Sequence, residues 1–557
     1  MWSNGGDITG AYAKVREGRS GDNLEVAWRS FALASLDTVE HLMAIYMKIA
    51  YPIYPLFHEP TLWRKLKSRE HLTDRGFFAS IMAACALASA RARDGALGDA
   101  QAMRARIPDT NSEVFFATAQ DTIGNDLSQA QGLGFLRACA LLAVTSIQYS
   151  QKSLVHQFLG HFTTLSNMQG FHDEAQWPTD CDEIEVEERR RLFWSMYSFD
   201  VYTAVVLNGM LNSRETNAHV RYPREINDED LAPGAPSLPQ QLVWLQGWNF
   251  TVDLYRILEH TIQRLRRSNR LRDDSKLSIT DFLVEDAVPE SQIMDRALAW
   301  YSRLPQRFQS YSDPPTGTKA LDLFGFQAAN IQATLQLLRI THFSLGPVQN
   351  VYQKCGVAEQ VLKTFHAIPP FYLQAISTPL AYHLGGVGHI LSSILEGPIC
   401  EESYGSIRTL LVSMAELLQS LESGLHPTVG ASKSLKSQIE RIDEYVSKQR
   451  RIIHAIAPTQ KSPNNERRPT VVMGPNSSKL LGNTSGVPEP HASQQSRLTC
   501  DGVMPIPPQQ QSMGVWTAQD EFHLPNDLVG DWPWPFNFTA EYGNGGDMSI
   551  PGLGSYA

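Results

Sequence analysis

The residues that could bind a metal ion or act as nucleophiles are widely spaced in this chain. The six cysteines are Cys85, Cys139, Cys181, Cys355, Cys400 and Cys500, and no two of them are close in sequence. Zinc sites usually take their ligands in short-spaced pairs such as C-x₂-C. His156 and His161 come nearest to a histidine pair, but an offset of five residues places them on different faces of a helix. The spacing therefore predicts no metal-binding residues.

Catalytic signatures are equally scarce. The sequence contains no phosphate-binding G-x-x-x-x-G-K-[ST] loop, no H-E-x-x-H and no G-x-S-x-G nucleophile turn. We therefore predict no catalytic residues, no cofactor-binding residues and no enzymatic activity. A helical enzyme with an unrecognised site is the weaker alternative. Cys85 and Cys139 lie in apolar runs and are expected to be buried core thiols.

Composition and charge bear on whether the chain binds nucleic acids or membranes. The 557 residues include 42% hydrophobic side chains, enough for a large core, and the formal net charge is −10. Since phosphate binding needs a clustered basic surface, this charge argues against nucleic-acid binding by the chain as a whole. The basic run RLRRSNRLR at 264–272 is interpreted as a solvated helix end, with a nuclear-localisation signal as the alternative. No signal peptide or membrane span is expected, so no membrane partner is predicted.

Apolar residues recur every three and four positions along most of the chain, which predicts helices. The first begins with Asp37 as its cap, and Glu40 completes a capping box. The run at 135–151 is apolar on nearly every face and is predicted to be central. Gly170 stands where a helix should end. The predicted helices are 37–49, 77–93, 135–151, 153–174, 185–209, 238–271, 290–308, 321–344, 351–365, 404–421 and 433–456.

The expected fold class is all-α, with one large multi-helix domain over 36–456. Residues 1–35 are polar and Gly-rich and are predicted to form a flexible N-terminal segment. Residues 457–557 are rich in proline and polar residues, which cannot bury enough apolar surface to fold. We predict a disordered C-terminal tail there.

Four segments stand out along the helical part, and we name them block 1 to block 4 in chain order. Block 1 is YPIYPLFHEPTLW at 51–63, and block 2 is NMQGFHDE at 167–174. Block 3 is RRRLFWSMYSFDVYTAVVLNG at 189–209, and block 4 is VRYPREINDEDL at 220–231. In order and spacing they resemble the regulatory, or middle homology, domain of fungal zinc-cluster transcription factors. The family-motif positions that we single out are Pro55, Phe57, His58, Pro60, Arg191, Trp194, Asp200 and Gly209.

The resemblance implies an all-α regulatory domain over about 36–235, with further helices beyond it. The arginines of block 3 are expected to form a solvated basic edge, while Trp194 and Tyr197 pack inside. The family's arginine after the block 3 aspartate is Val201 here, and its Gly-Arg-Pro reads Gly209-Met210-Leu211. We therefore expect Asp200 to be a structural carboxylate paired with another base, such as an arginine of 189–191.

Zinc is the cofactor that the resemblance would imply, bound by an N-terminal cluster of six closely spaced cysteines. The sequence before residue 36 contains no cysteine, so we predict no cofactor in this chain. Two alternatives remain: the sequence lacks a DNA-binding module that belongs to it, or the protein acts without its own zinc-cluster contact to DNA. DNA would then be reached indirectly or through the missing N-terminal module.

The end of the tail alternates acids with aromatic and aliphatic residues over about 515–543, and no Lys or Arg occurs in 501–557. This composition is typical of disordered activation segments. The residues predicted to contact a coactivator or the transcription machinery are Trp516, Phe522, Leu528, Trp532, Trp534, Phe536 and Phe538. The alternative is that these aromatics dock back onto the helical domain.

Together these features predict a nuclear transcription regulator, a pathway-specific fungal activator for secondary metabolism or nutrient use that acts through RNA polymerase II. The resemblance also allows a dimer. The alternative function is a helical adaptor or inhibitor that binds other transcription factors and does not bind DNA.

Overall fold

The computed structural model of the protein describes residues 36–97, 112–231, 243–273, 290–311, 319–344, 350–376, 378–395, 399–422, 430–456 and 524–525. The chain divides into two units, one of residues 1–442 and 521–557 and the other of residues 443–520. All contacts below belong to the first unit. The predictions for 1–35 and for 457–557 lie outside the described residues, apart from Leu524 and Pro525.

Fifteen α-helices and several short 3₁₀ turns lie in the described ranges, and no β-strand occurs in them. The all-α prediction is confirmed. The helices are α1 (Leu36–Ile49), α2 (Glu59–Lys67), α3 (Arg75–Arg93), α4 (Ser112–Ile123), α5 (Leu133–Gln148), α6 (Lys152–Met168), α7 (Glu183–Val206), α8 (Leu245–Asp273), α9 (Glu290–Tyr301), α10 (Lys319–Phe343), α11 (Val351–Ala367), α12 (Pro370–Ile376), α13 (Thr378–Leu395), α14 (Glu401–Glu422) and α15 (Ala431–Ile456).

Most predicted helices are present, although several ends differ. Asp37 lies inside the first turn of α1, so the prediction that it precedes the helix as a cap is wrong. The chain leaves α5 at Ser150, whose φ of 57° is left-handed, before the predicted end at 151. Gly170 has a φ of 58° just after α6, as its predicted place at a helix end requires.

The sequence interpretation missed four helices: α2, α4, α12 and α13. Helix α2 begins inside block 1. Pro60 occupies its first turn, where a missing backbone N–H costs no helical hydrogen bond. Prolines within block 1 therefore do not exclude a helix there.

Helix α5 is the centre of the core, as predicted: every residue from Phe135 to Gln148 is buried. It packs against α3 and α6, while α3 also packs against α1 and α4. Helices α3 and α5 approach so closely that a Cβ added to Gly134 would collide with the backbone of Gly76. Cys85 and Cys139 are both fully buried in this region, which confirms their assignment as core thiols.

Helix α7 packs against α5 and α8, and α8 packs against α10. These helices place the four blocks on neighbouring elements. Among the described helices, none has a stretch that is both long and apolar enough to cross a bilayer.

Candidate functional site

The three arginines of block 3 lie inside the protein at the start of α7. Arg189, Arg190 and Arg191 are 4%, 9% and 0% exposed. The predicted solvated basic edge is therefore wrong. Its physical reason is that a carboxylate stands opposite each guanidinium, so that burial does not leave the charges unpaired.

Arg191 meets block 4 through Asp228, with 2.6 Å between its Nη1 atom and the Oδ1 atom of the carboxylate. The second carboxylate oxygen of Asp228 accepts hydrogen bonds from the Tyr51 hydroxyl at 2.7 Å and from the Glu59 backbone N–H at 2.8 Å. The His58 ring meets the Asp228 carbonyl through Nε2 at 2.8 Å. Asp228 thus joins block 1, block 3 and block 4 at one buried point.

Block 2 joins the same region through Glu174. Its carboxylate accepts hydrogen bonds from Arg190 Nε at 2.7 Å and Nη2 at 2.9 Å, a bidentate pair. One of its oxygens also accepts the backbone N–H of Arg221 in block 4 at 2.8 Å. Arg190 donates further to the fully buried Glu187, 2.7 Å away. We call this network of Arg190, Arg191, Glu174, Glu187 and Asp228 the block junction.

The PLFH part of block 1 is held from α5. Arg137 donates from Nε to the Leu56 carbonyl at 2.6 Å and from Nη2 to Glu188 at 2.9 Å. Its guanidinium lies 4.4 Å from the centre of the Phe57 ring, a cation–π contact. Glu188 in turn accepts the backbone N–H of His58 at 2.6 Å. The sequence analysis missed this anchor, and its signal was a single arginine inside the apolar run FLRACALL.

The aromatic residues of block 3 are packed inside, as predicted. Trp194 donates its indole N–H to the Arg221 carbonyl at 3.0 Å, and its ring lies 4.7 Å from that of Tyr222. Tyr197 donates its hydroxyl to Glu259 of α8 at 2.6 Å. These contacts fix α7 against block 4 and α8.

Asp200 is a buried structural carboxylate, but the expected arginine partner is wrong. Its oxygens accept the backbone N–H groups of Asn212 and Ser213 at 2.8 and 2.7 Å, and the Asn212 side-chain amide at 2.8 Å. Burial raises the pKa of Asp200 to about 6, although these donors act in the opposite direction. Asp200 therefore closes the loop that follows α7.

Gly209 lies in that loop against α6 and α8. A Cβ at this position would come within 2.8 Å of the exposed His156 ring, which would have to move aside. Arg266 of the basic run 264–272 donates to the carbonyls of Gly209 at 2.6 Å and Ala204 at 2.8 Å. This part of the run therefore holds the end of α7 and is not simply a solvated helix end.

Two of the family-motif positions, His58 and Arg191, thus meet at Asp228, and the charges of the block junction are paired within the protein. Among the described residues, no group of three His, Cys, Asp or Glu side chains could hold a metal ion. An interlocked set of buried charges of this kind orders the segments that it joins, because removal of one partner leaves the other charge buried and unpaired. The chemistry of the junction is that of a structural lock.

The predicted activation residues Trp516, Phe522, Leu528, Trp532, Trp534, Phe536 and Phe538 lie outside the described residues. Within the segment 515–543 the structure describes Leu524 and Pro525. The Leu524 side chain is 7% exposed. At this one position the segment is covered.

Comparison with known proteins agrees with the convergence of the blocks. No curated protein and no solved structure matches the chain. The family model described as the fungal specific transcription factor domain matches residues 43–265. This range includes all four blocks, the block junction and the loop closed by Asp200. Residues 43–265 of the chain therefore match the fungal specific transcription factor domain.

Proposed function

We propose that the protein is a pathway-specific fungal activator that works in the nucleus through RNA polymerase II. The observation that supports it most directly is the junction of all four blocks at Asp228 and Glu174 inside the matched domain. In this proposal the helical domain is the regulatory part. The pathway belongs to secondary metabolism or nutrient use.

The activating part is the acidic, aromatic segment over about 515–543. Its acids keep Trp532, Trp534, Phe536 and their neighbours solvated until a coactivator groove buries them. DNA is reached through a partner protein or through a module outside the printed sequence.

A reporter assay tests the activating part. Residues 501–557 are fused to a foreign DNA-binding module, and reporter output is compared with that of the module alone. We expect activation that falls when Trp532 and Trp534 are changed to alanine, because these side chains supply the apolar contact area. A fusion with the output of the module alone would contradict the proposal.

The burial of Leu524 motivates a second test, which asks whether the tail docks on the helical domain in the full-length chain. In the full-length chain fused to the same module, Leu524→Asp should raise reporter output if docking covers the segment. In the isolated 501–557 fusion the same change should leave the output unchanged or lower it. Equal effects of Leu524→Asp in the full-length and isolated fusions would contradict docking of the tail.

The second candidate function is an adaptor or inhibitor of other transcription factors. It is favoured by the wide spacing of the six cysteines in the sequence, which supplies no zinc-cluster ligand set. Chromatin immunoprecipitation of the tagged chain, with and without its co-purifying transcription factor, separates the candidates. Occupancy that disappears with the partner favours the adaptor.

A further inference from the structure

A small cavity lies between α3, α7, α8, α10 and α13. Inside it, the centres of water-sized atoms can occupy a volume of about 60 Å³. Since each water needs roughly 10–15 Å³ of such space, the cavity has room for about four to six non-hydrogen atoms. The lining contains no Asp, Glu or Lys.

Arg91 of α3 lines this cavity and is 1% exposed. Its Nη1 atom donates to the Ile49 carbonyl at 3.1 Å, its guanidinium lies 5.9 Å from the Tyr54 ring, and its Nε atom has no partner. No carboxylate in the described part of the chain forms an ion pair with it. Burial lowers the pKa of Arg91, and only Tyr54 and Tyr46 act against it.

This arrangement is costly for the protein alone, because a buried cation without a counter-ion loses its hydration with little in return. Arg137, Arg190 and Arg191 show how the same fold treats other buried arginines: each has a carboxylate oxygen within 2.9 Å. The missing acid at Arg91 is therefore a local property of the cavity.

Uncharged polar groups line the same cavity as the guanidinium. The Ser195 and Ser198 hydroxyls of α7 have no hydrogen-bond partner. The Nδ1 atom of His383 in α13 lies 2.7 Å from the Pro379 carbonyl oxygen. Since a carbonyl oxygen only accepts, Nδ1 must donate, and Nε2 is left as an acceptor. Burial lowers the pKa of His383 to about 4, so the ring is neutral at pH 7.

Aromatic side chains supply part of the remaining wall, including Tyr54, Phe199, Tyr202, Trp248 and Tyr255. Such surfaces favour the flat or aliphatic body of an organic molecule. One planar guanidinium in a cavity that also holds unpaired hydroxyls suits a carboxylate with a small oxygen-bearing body. An inorganic phosphate would bring up to two charges to a single cation.

We propose that this cavity binds a small organic carboxylate of about four to six non-hydrogen atoms, paired with Arg91 and hydrogen-bonded by Ser195 and Ser198. The bound anion stabilises the packing of α10 and α13 on α7 and α8. The site thereby links the matched domain to helices beyond residue 265. The proposal goes beyond the transcriptional function and does not depend on it, since binding is a property of the purified chain.

Thermal unfolding of the purified full chain tests the proposal with acetate, propionate and pyruvate as probes. Chloride and inorganic phosphate at equal ionic strength are the controls. Because a ligand that binds only the folded state raises the melting temperature, we expect a saturable rise with at least one carboxylate and none with the controls. No saturable rise with any of the three, or an equal rise with phosphate, would overturn the proposal.

Variants assign the binding to Arg91. Arg91→Met keeps the length of the side chain and removes its charge, and should weaken carboxylate binding by about 10- to 100-fold in isothermal titration. Arg93→Met is the matched control, since Arg93 is two residues away, exposed and paired with Glu113, and it should bind as the parent does. Full binding by Arg91→Met would refute the assignment.

Ser198→Ala keeps the charge and covers the case in which Arg91→Met does not fold. It should weaken binding several-fold with an unchanged melting temperature in the absence of carboxylate. Parent-like binding by this variant would remove the serine from the site, and combined with parent-like binding of Ser195→Ala it would overturn the proposed geometry.

Discussion

Arg191 and Arg91 are two fully buried arginines in the same unit, and only one of them has a carboxylate partner in the part of the chain that the structure describes. Arg191 faces the Asp228 carboxylate at 2.6 Å, within a network that also binds Tyr51 and Glu59. Arg91 faces the Ile49 carbonyl at 3.1 Å and the wall of a cavity. The charge of Arg191 is balanced within the protein, whereas Arg91 leaves a charge to be balanced by an anion from outside.

Burial of a charge alone therefore does not define its role. A paired buried charge contributes little net stability, yet its partners become dependent on each other, since loss of either leaves an uncompensated ion. Such a pair is suited to joining segments. An unpaired one lowers stability until an anion arrives, and is suited to binding.

The free energy of unfolding should fall most when Arg191 loses its carboxylate partner. Asp228→Asn removes the charge opposite Arg191 while it keeps the shape of the side chain, and should reduce the free energy of unfolding by about 3–5 kcal/mol. Chemical denaturation of the full chain measures it. Glu229→Gln, an exposed neighbour in the same 3₁₀ turn, is the control and should stay within about 0.5 kcal/mol.

A double variant tests whether the Arg191–Asp228 pair is interdependent. Arg191→Met in the Asp228→Asn background removes the orphaned charge and should recover part of the lost stability. If the double variant were less stable than Asp228→Asn alone, the cost would not come from the unpaired arginine, and the interpretation of the block junction as an interdependent ion pair would be wrong.

Much of the fold could be predicted from the sequence, and the reason is visible in α5. Its run of apolar residues can only be buried, so its central place follows from composition alone. Helix α12 was missed because it has only 7 residues and begins with proline, and α13 because its proline and glycines weaken the helical signal. Contacts with other helices decide such segments.

The segments that form the block junction could be predicted from the sequence, but the contacts between them could not. Blocks 1 to 4 were identified in order, but RRR was taken as a solvated edge because a run of arginines normally prefers water. Its acids, Glu174 and Asp228, lie 16 and 37 residues away in sequence. Arg91 gave no signal at all, because its lack of an acid partner depends on every helix around it.

Asp200 extends the comparison to a buried carboxylate that pairs with no cation among the described residues and is held by N–H donors. Its pKa is raised by burial from 3.8 to about 6, so the folded state binds the proton more tightly than the unfolded state does. The contribution of Asp200 to stability is therefore greatest below pH 4 and is lost as the pH rises through 6. The expected loss is on the order of 3 kcal/mol.

The pH dependence of unfolding in Asp200→Asn measures this effect. The difference in unfolding free energy between parent and variant should shift against the parent by on the order of 3 kcal/mol between pH 4 and pH 7. Asp180→Asn, an exposed carboxylate before α7, controls for general charge effects. A constant difference across this range would mean that the N–H donors fully offset the cost of burial.

The smallest effect is expected where an ion pair of the same network reaches the surface. Arg224 pairs with Glu187 at 3.0 Å and Glu183 at 3.1 Å, but its side chain is 46% exposed. Arg224→Ala should cost at most about 1 kcal/mol in unfolding free energy, since water solvates the charge and screens the pair. Glu187 keeps Arg190 at 2.7 Å and the backbone N–H of residue 224 at 2.9 Å, so no buried charge loses its last partner. If Arg224→Ala lowered the free energy of unfolding as much as Asp228→Asn does, membership of the network would determine the loss. Burial of an unpaired charge would then not be its cause.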